Sequence, residues 1–246
     1  RTLNVAAAGN LGDFERDEIG RALLANKQGR VGFCDIYGLK ENMSPSHSVD
    51  LKDKEQIRSL RSFTLFAGLL RANNVLTSLT LASVNPEHVD ILAEALATNV
   101  TLQELRLQAP NKGGDTAVAV LPVQEMNGNQ KTANIDLWDR GEGGPLHRQA
   151  CAVVGALLNV NKSINFLRIN PGSGAEGGGL LEHLHRARKS TLRTLDVTSI
   201  GLGDRGGTRF FQTLMAGSGS FLTSLKLGDN KLTDQSVGPL IVEVLR

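Results

Sequence analysis

Six times between residues 76 and 227 the chain runs through a hexapeptide that is apolar at its first, fourth and sixth positions, Thr132 being the one polar opening. The best formed is Leu222-Thr-Ser-Leu225-Lys-Leu227, which continues Gly-Asp-Asn230-Lys-Leu232. The others begin at Leu76, Leu102, Thr132, Ile164 and Leu192, so successive spacings are 26, 30, 32, 28 and 30 residues. Alternation over four to six residues predicts a strand with one face buried. Leu102, Leu105 and Leu107 should enter a core, met there by Ile91, Leu92 and Leu96, while the third, fifth and seventh positions face the other way.

Between the strands the apolar period lengthens to that of helices, at about 54–72, 87–98, 116–126, 146–159, 179–189, 204–216 and 236–245. An earlier helix over 14–26 has acids in its first turn. Val31-Gly-Phe33-Cys34-Asp35-Ile36 fits the strand half of a first, divergent repeat. Residues 40–52 are polar and contain Pro45, which predicts a loop or insertion. Several helices close on an Asn (Asn26, Asn73, Asn99, Asn159). Asn tolerates the left-handed backbone that ends a helix, so these positions are expected to be helix caps.

The pattern L-x-x-L-x-L-x-x-N-x-L of 222–232 resembles one turn of a leucine-rich repeat. Units near 29 residues with full helices are similar to the ribonuclease-inhibitor-like class. The resemblance covers about 31–246 as six or seven units, with an insertion near 40–52, and leaves 1–30 as an N-terminal capping helix region. It implies an α/β fold, a curved solenoid (horseshoe) with a parallel sheet on the concave face and helices on the convex face. In that family the ninth position is usually an Asn or Cys that ties successive loops together. Only Asn230 keeps it here; Val84, Pro110, Arg140, Gly172 and Ile200 stand elsewhere. The loops leaving those strands, above all 110–115 and 140–145, are therefore expected to be irregular.

Solenoids of this kind work as binding surfaces, through the sheet. Reading down the fifth position gives Asp35, Thr80, Arg106, Asp136, Arg168, Asp196 and Lys226, with charge alternating strand by strand from Arg106 onward. Neighbouring strands lie about 4.8 Å apart, so these side chains can pair. Such a ladder serves to keep a solvent-facing sheet soluble, and equally to present a polar recognition surface. Aromatics sharpen the second role. Trp138, the only Trp, falls at a seventh position and Phe166 at a third; Phe33 and Tyr37, the only Tyr, fall at the same places in the divergent strand. Large aromatics on an open sheet are the anchors protein interfaces use. The candidate protein-binding residues are therefore Trp138, Phe166, Tyr37, Phe33, Arg106, Asp136, Arg168, Asp196 and Lys226.

Composition narrows the class further. A net charge of +2 gives no strong pull toward nucleic acid, and no apolar run reaches the length of a membrane span. Cys34 and Cys151 match no metal spacing and read as buried free thiols of a reducing compartment, the cytoplasm or another. Gly172-Ser-Gly174-Ala-Glu-Gly177 is a formal G-x-G-x-x-G, but Asp196, the acid about 20 residues on, sits within the ladder, so the run reads as a loose loop. His183 and His185 are two apart on a helix and do not share a face. No catalytic grouping, metal site or cofactor motif emerges. The chain starts at Arg1 and stops at Arg246 within a helical pattern, as a processed or partial product would. The expected function is a non-catalytic protein–protein interaction scaffold, a subunit or adaptor in a multi-protein complex. Two alternatives are a regulator of a small GTPase, since Ran GTPase-activating proteins share this repeat type, and the sensing domain of a larger receptor.

Overall fold

The computed structural model describes residues 2–4, 18–19, 21–22, 33–35, 48–51, 60–73, 76–81, 84–110, 116–127, 133–138, 148–170, 191–214, 222–234 and 238. It is a mixed α/β structure of parallel sheets and helices. Contacts divide the chain into two units, one comprising Arg1–Gln108 with Leu121–Asn127, the other Ala109–Val120 with Gly128–Arg246.

In the first unit β1 (Thr2–Asn4) pairs in parallel with β2 (Phe33–Asp35), and β3 (Ser48–Leu51), β4 (Ser78–Leu81) and β5 (Glu104–Pro110) form a parallel sheet in that order. Parallel neighbours need a long return connection, which the helices supply. α1 (Leu60–Ala72) and α2 (Val89–Thr98) pack together, and a single 3₁₀ turn, Pro86–His88, leads into α2. The register sets Leu79 opposite Leu105 and Leu81 opposite Leu107, and all four are buried. Leu102, Leu92 and Leu96 join them, whereas Ile91 is only half-buried. α1 has no polar stripe from Phe63 to Leu70: every residue is buried, including Thr64. Burial of each such Leu or Phe stabilises by about 1.5–3 kcal/mol.

In the second unit β7 (Ala133–Leu137), β8 (Ile164–Ile169), β9 (Thr194–Asp196) and β10 (Ser224–Lys226) lie side by side in that order, all parallel. Ile135, Leu137, Ile164, Leu167, Ile169, Leu192, Leu195 and Val197 fill the core with the apolar residues of α4 (Arg148–Val160) and α5 (Gly203–Thr213), Phe210 and Phe211 among them.

Three expectations are corrected. Residues 48–51, read as part of a loop or insertion, form β3, and its register places Asp50 opposite Thr80. Residues 116–126 are not one helix: Thr116–Pro122 is a strand, β6, and only Val123–Met126, α3, is helical. The alternating Ala and Val of 117–120 already favour a strand, and Pro122 cannot donate within a helix. A further strand, β1, lies ahead of the predicted 14–26 helix, of which residues 18–19 and 21–22 are described and helical. Of the helix-closing asparagines, Asn73, Asn99 and Asn159 are not left-handed caps, and Asn26 lies outside the described residues. Asn99 has φ −73° and ψ 131°, an extended backbone.

Asn73 and Asn99 instead tie their helix ends to the strand that follows. Asn99 Oδ1 accepts the amides of Leu102 (2.7 Å) and Thr101 (3.0 Å), while its Nδ2 donates to the carbonyls of Leu70 (2.7 Å) and Asn73 (3.0 Å), some 26–29 residues earlier. Asn73 accepts the Leu76 amide at 2.7 Å. Asn127 Nδ2 donates to the carbonyls of Leu96 and Asn99. In the second unit Asn161, not Asn159, has this place, accepting from the amides of Ser163 and Ile164.

Asn230 works as its ninth position implies. It is buried, accepts the Ile200 amide (3.0 Å), and donates to the carbonyls of Val197 (2.8 Å) and Leu227 (2.9 Å). Left-handed residues flank the ninth position in both turns, Ser199 and Gly201 in one, Asp229 and Lys231 in the other. The turn after β9 thus matches the turn after β10 although it carries Ile200, contrary to the expected irregularity. The stretches 111–115 and 139–147, and the predicted helices 179–189 and 236–245 apart from residue 238, lie outside the described residues, as do most of 14–26 and 54–59.

Candidate protein-binding face

The four fifth-position residues of the second unit are set in line by strand register: Asp136 opposite Arg168, Arg168 opposite Asp196, Asp196 opposite Lys226. With one residue per strand at a fixed register, side chains from sequence positions 90 residues apart form one row across the sheet. Arg168 Nη1 reaches Asp136 Oδ2 at 3.4 Å, and Lys226 Nζ stands 3.6 Å from Asp196 Oδ2. The first pair is well exposed and is worth about 0–1 kcal/mol.

Each acid is also held by its own strand end. Asp136 Oδ1 accepts the Trp138 amide at 2.9 Å, and Asp196 Oδ1 accepts the Thr198 amide at 3.1 Å. The carboxylates are thereby aimed before any partner side chain arrives. Asp196 is 7% exposed. Its burial works to raise its pKa, but the Thr198 hydrogen bonds and the charges of Lys226 and Arg168 together outweigh that and hold it below the ordinary carboxylate value.

The aromatics complete the row. The Arg168 guanidinium carbon lies 4.7 Å from the centre of the Trp138 ring, and Lys226 Nζ lies 5.4 Å from the centre of Phe166. Trp138 and Phe166 are half-buried, so both rings combine a cation over the ring with residual exposure. Cation–π contacts at such sites contribute about 0.5–1 kcal/mol each.

The remaining candidates are placed elsewhere. Arg106 lies on β5 in the first unit, opposite Thr80, and pairs with Glu104 of its own strand at 3.6 Å. Because β5 and β7 belong to different sheets, with β6 intervening in sequence, Arg106 does not head the alternating row; the row begins at Asp136. Phe33 and Asp35 are on β2, in register with Thr2 and Asn4, and Tyr37 lies outside the described residues. Glu104 and Thr198 were missed, although both stand two residues from a fifth position and therefore on the same face. Cys151 is a buried free thiol; Cys34 falls on β2.

Among the described residues no cluster of three His, Cys, Asp or Glu side chains is arranged to hold a metal ion, and no helix is long and apolar enough to cross a membrane. No protein-family profile matches the chain, and neither does any curated protein.

Proposed function

We propose that the chain is a leucine-rich-repeat protein of the ribonuclease-inhibitor-like class, its sheet concave and its helices convex, and that it is a non-catalytic interaction scaffold. It serves as a subunit or adaptor of a protein complex in a reducing compartment such as the cytoplasm. The repeated strand register, the Asn230 bridge between successive turns and the recurrent helix-end asparagines support the repeat assignment. The functional reading is carried by a single observation. Trp138 and Phe166, flanked by Arg168 and Lys226, occupy the open face of the second unit's sheet, outside the core. Aromatics and Arg are enriched at protein interfaces, whose rim is polar, and this face carries both. Affinity capture from the native source tests this, using the intact chain and a Trp138→Ala/Phe166→Ala chain of unchanged circular dichroism. Loss of one defined partner is the expected result; an unchanged set of partners would remove the face from consideration.

A further inference from the structure

The row Asp136, Arg168, Asp196, Lys226 is neutral by count but not by exposure. The Asp196 side chain is only 10% exposed, while those of Lys226 and Arg168 are 53% and 39% exposed. Of the two acids only Asp136, at the end of the row, faces solvent broadly. A partner approaching this sheet therefore meets two outward cations for one outward acid.

Neither cation is saturated by its acid. The Lys226 ammonium is 3.6 Å from Asp196, outside hydrogen-bond range, and a guanidinium engaged through Nη1 at 3.4 Å has further donors to offer. The apolar component is adjacent, because each cation lies against a ring. The two cations sit at one register on strands separated by β9, which puts their stems about 10 Å apart.

Resting on the reading of this face as a protein interface, we infer that its occupant is an acidic segment of a partner protein. Two carboxylates about 10 Å apart, the span of residues i and i+3 on one side of a polyproline-II chain, engage Arg168 and Lys226. Apolar side chains of the same segment seat against Trp138 and Phe166, which stand on opposite sides of the charged row. Asp136 opposes the segment at one end, which fixes its direction across the strands.

The test is display selection of random peptides on the full chain, with counter-selection on the folded Trp138→Ala/Phe166→Ala chain. Recovered peptides should be enriched in Asp and Glu at a spacing of three. The best of them, synthesised and titrated while following emission of Trp138, the only Trp, should bind more weakly as salt rises. It should bind about tenfold or more weakly to the Lys226→Glu chain, and more tightly to Asp136→Asn. Face-dependent peptides that are basic or neutral would overturn the acidic assignment while leaving the face an interface. Acidic peptides that bind Lys226→Glu undiminished would overturn it equally. Recovery of no face-dependent peptide would overturn both this inference and the interface reading beneath it.

Discussion

Replacing Asn99 by Ala should destabilise the first unit by about 2–5 kcal/mol. The side chain is 2% exposed and bonds four backbone groups. Ala strands the Leu102 amide, whose hydrogen bond is buried, and a buried donor without a partner costs about 1–3 kcal/mol. The carbonyls lose less. Leu70 still accepts from the Asn73 amide and Asn73 from the Thr101 hydroxyl, so each adds only about 0.5–1 kcal/mol. Thr101 is half-buried, and water can replace its lost acceptor. Asn99→Asp separates the two halves of the role. It keeps the acceptor for Leu102 but turns a carboxylate toward two carbonyls, so it should be at least as damaging at neutral pH and partly recover in acid, where the protonated oxygen donates. Urea unfolding followed by circular dichroism gives the change in stability, and hydrogen exchange at Leu102 gives its location. A loss below about 0.5 kcal/mol, with Leu102 still protected, would refute the idea that these asparagines hold helix end to strand.

Further predictions concern other links. Leu105→Ala should cost about 2–5 kcal/mol in the same assay, because Leu105 is wholly buried between neighbouring strands. Lys231, at φ 55°, should tolerate Gly without loss, as Gly201 stands in the equivalent turn, whereas Lys231→Ile should cost about 1–2 kcal/mol. His88 is 2% exposed and stacks on Phe63 with ring centres 4.3 Å apart; burial pushes its pKa below the ordinary 6.5, against the smaller opposing pull of Glu87. Its contribution to stability is thus complete above pH 6.5 and falls away as the pH drops toward the lowered value, so urea midpoints should decline on that side and the decline should shrink in His88→Gln. Asp196 should titrate, by carbon-detected NMR, below the ordinary carboxylate value and move upward in Lys226→Met.

The strand register was legible from the sequence because a hexapeptide with three apolar positions leaves one way to bury them. The same pattern aligns Asp136, Arg168, Asp196 and Lys226, and strand pairing brings them together. β3 escaped notice because Ser48-Val-Asp-Leu51 offers only two apolar residues inside a polar stretch, too little alternation to outweigh Pro45. For β6 the repeat spacing argues for a helix while its own β-branched alternation argues for the strand that forms. Arg106 continues the charge alternation in sequence, but its strand belongs to the other sheet. The recurrence of asparagines is visible in the sequence but its physics is not: the Asn99 backbone is ordinary, and its amide group reaches carbonyls 26–29 residues earlier. A side-chain bond between residues 29 apart leaves no mark in local propensity. The exposure difference between Asp196 and Lys226 was likewise invisible, since both occupy the same repeat position.

The claim that this sheet face is where a partner binds is tested most directly by photo-cross-linking from single positions in the second unit. A photoreactive residue at Asn134, exposed and opposite Phe166 on the neighbouring strand, should capture one defined protein in the native source. The same residue at Arg209, exposed on α5, should capture none. Capture from Arg209 with nothing from Asn134 would contradict the account and assign binding to the helices.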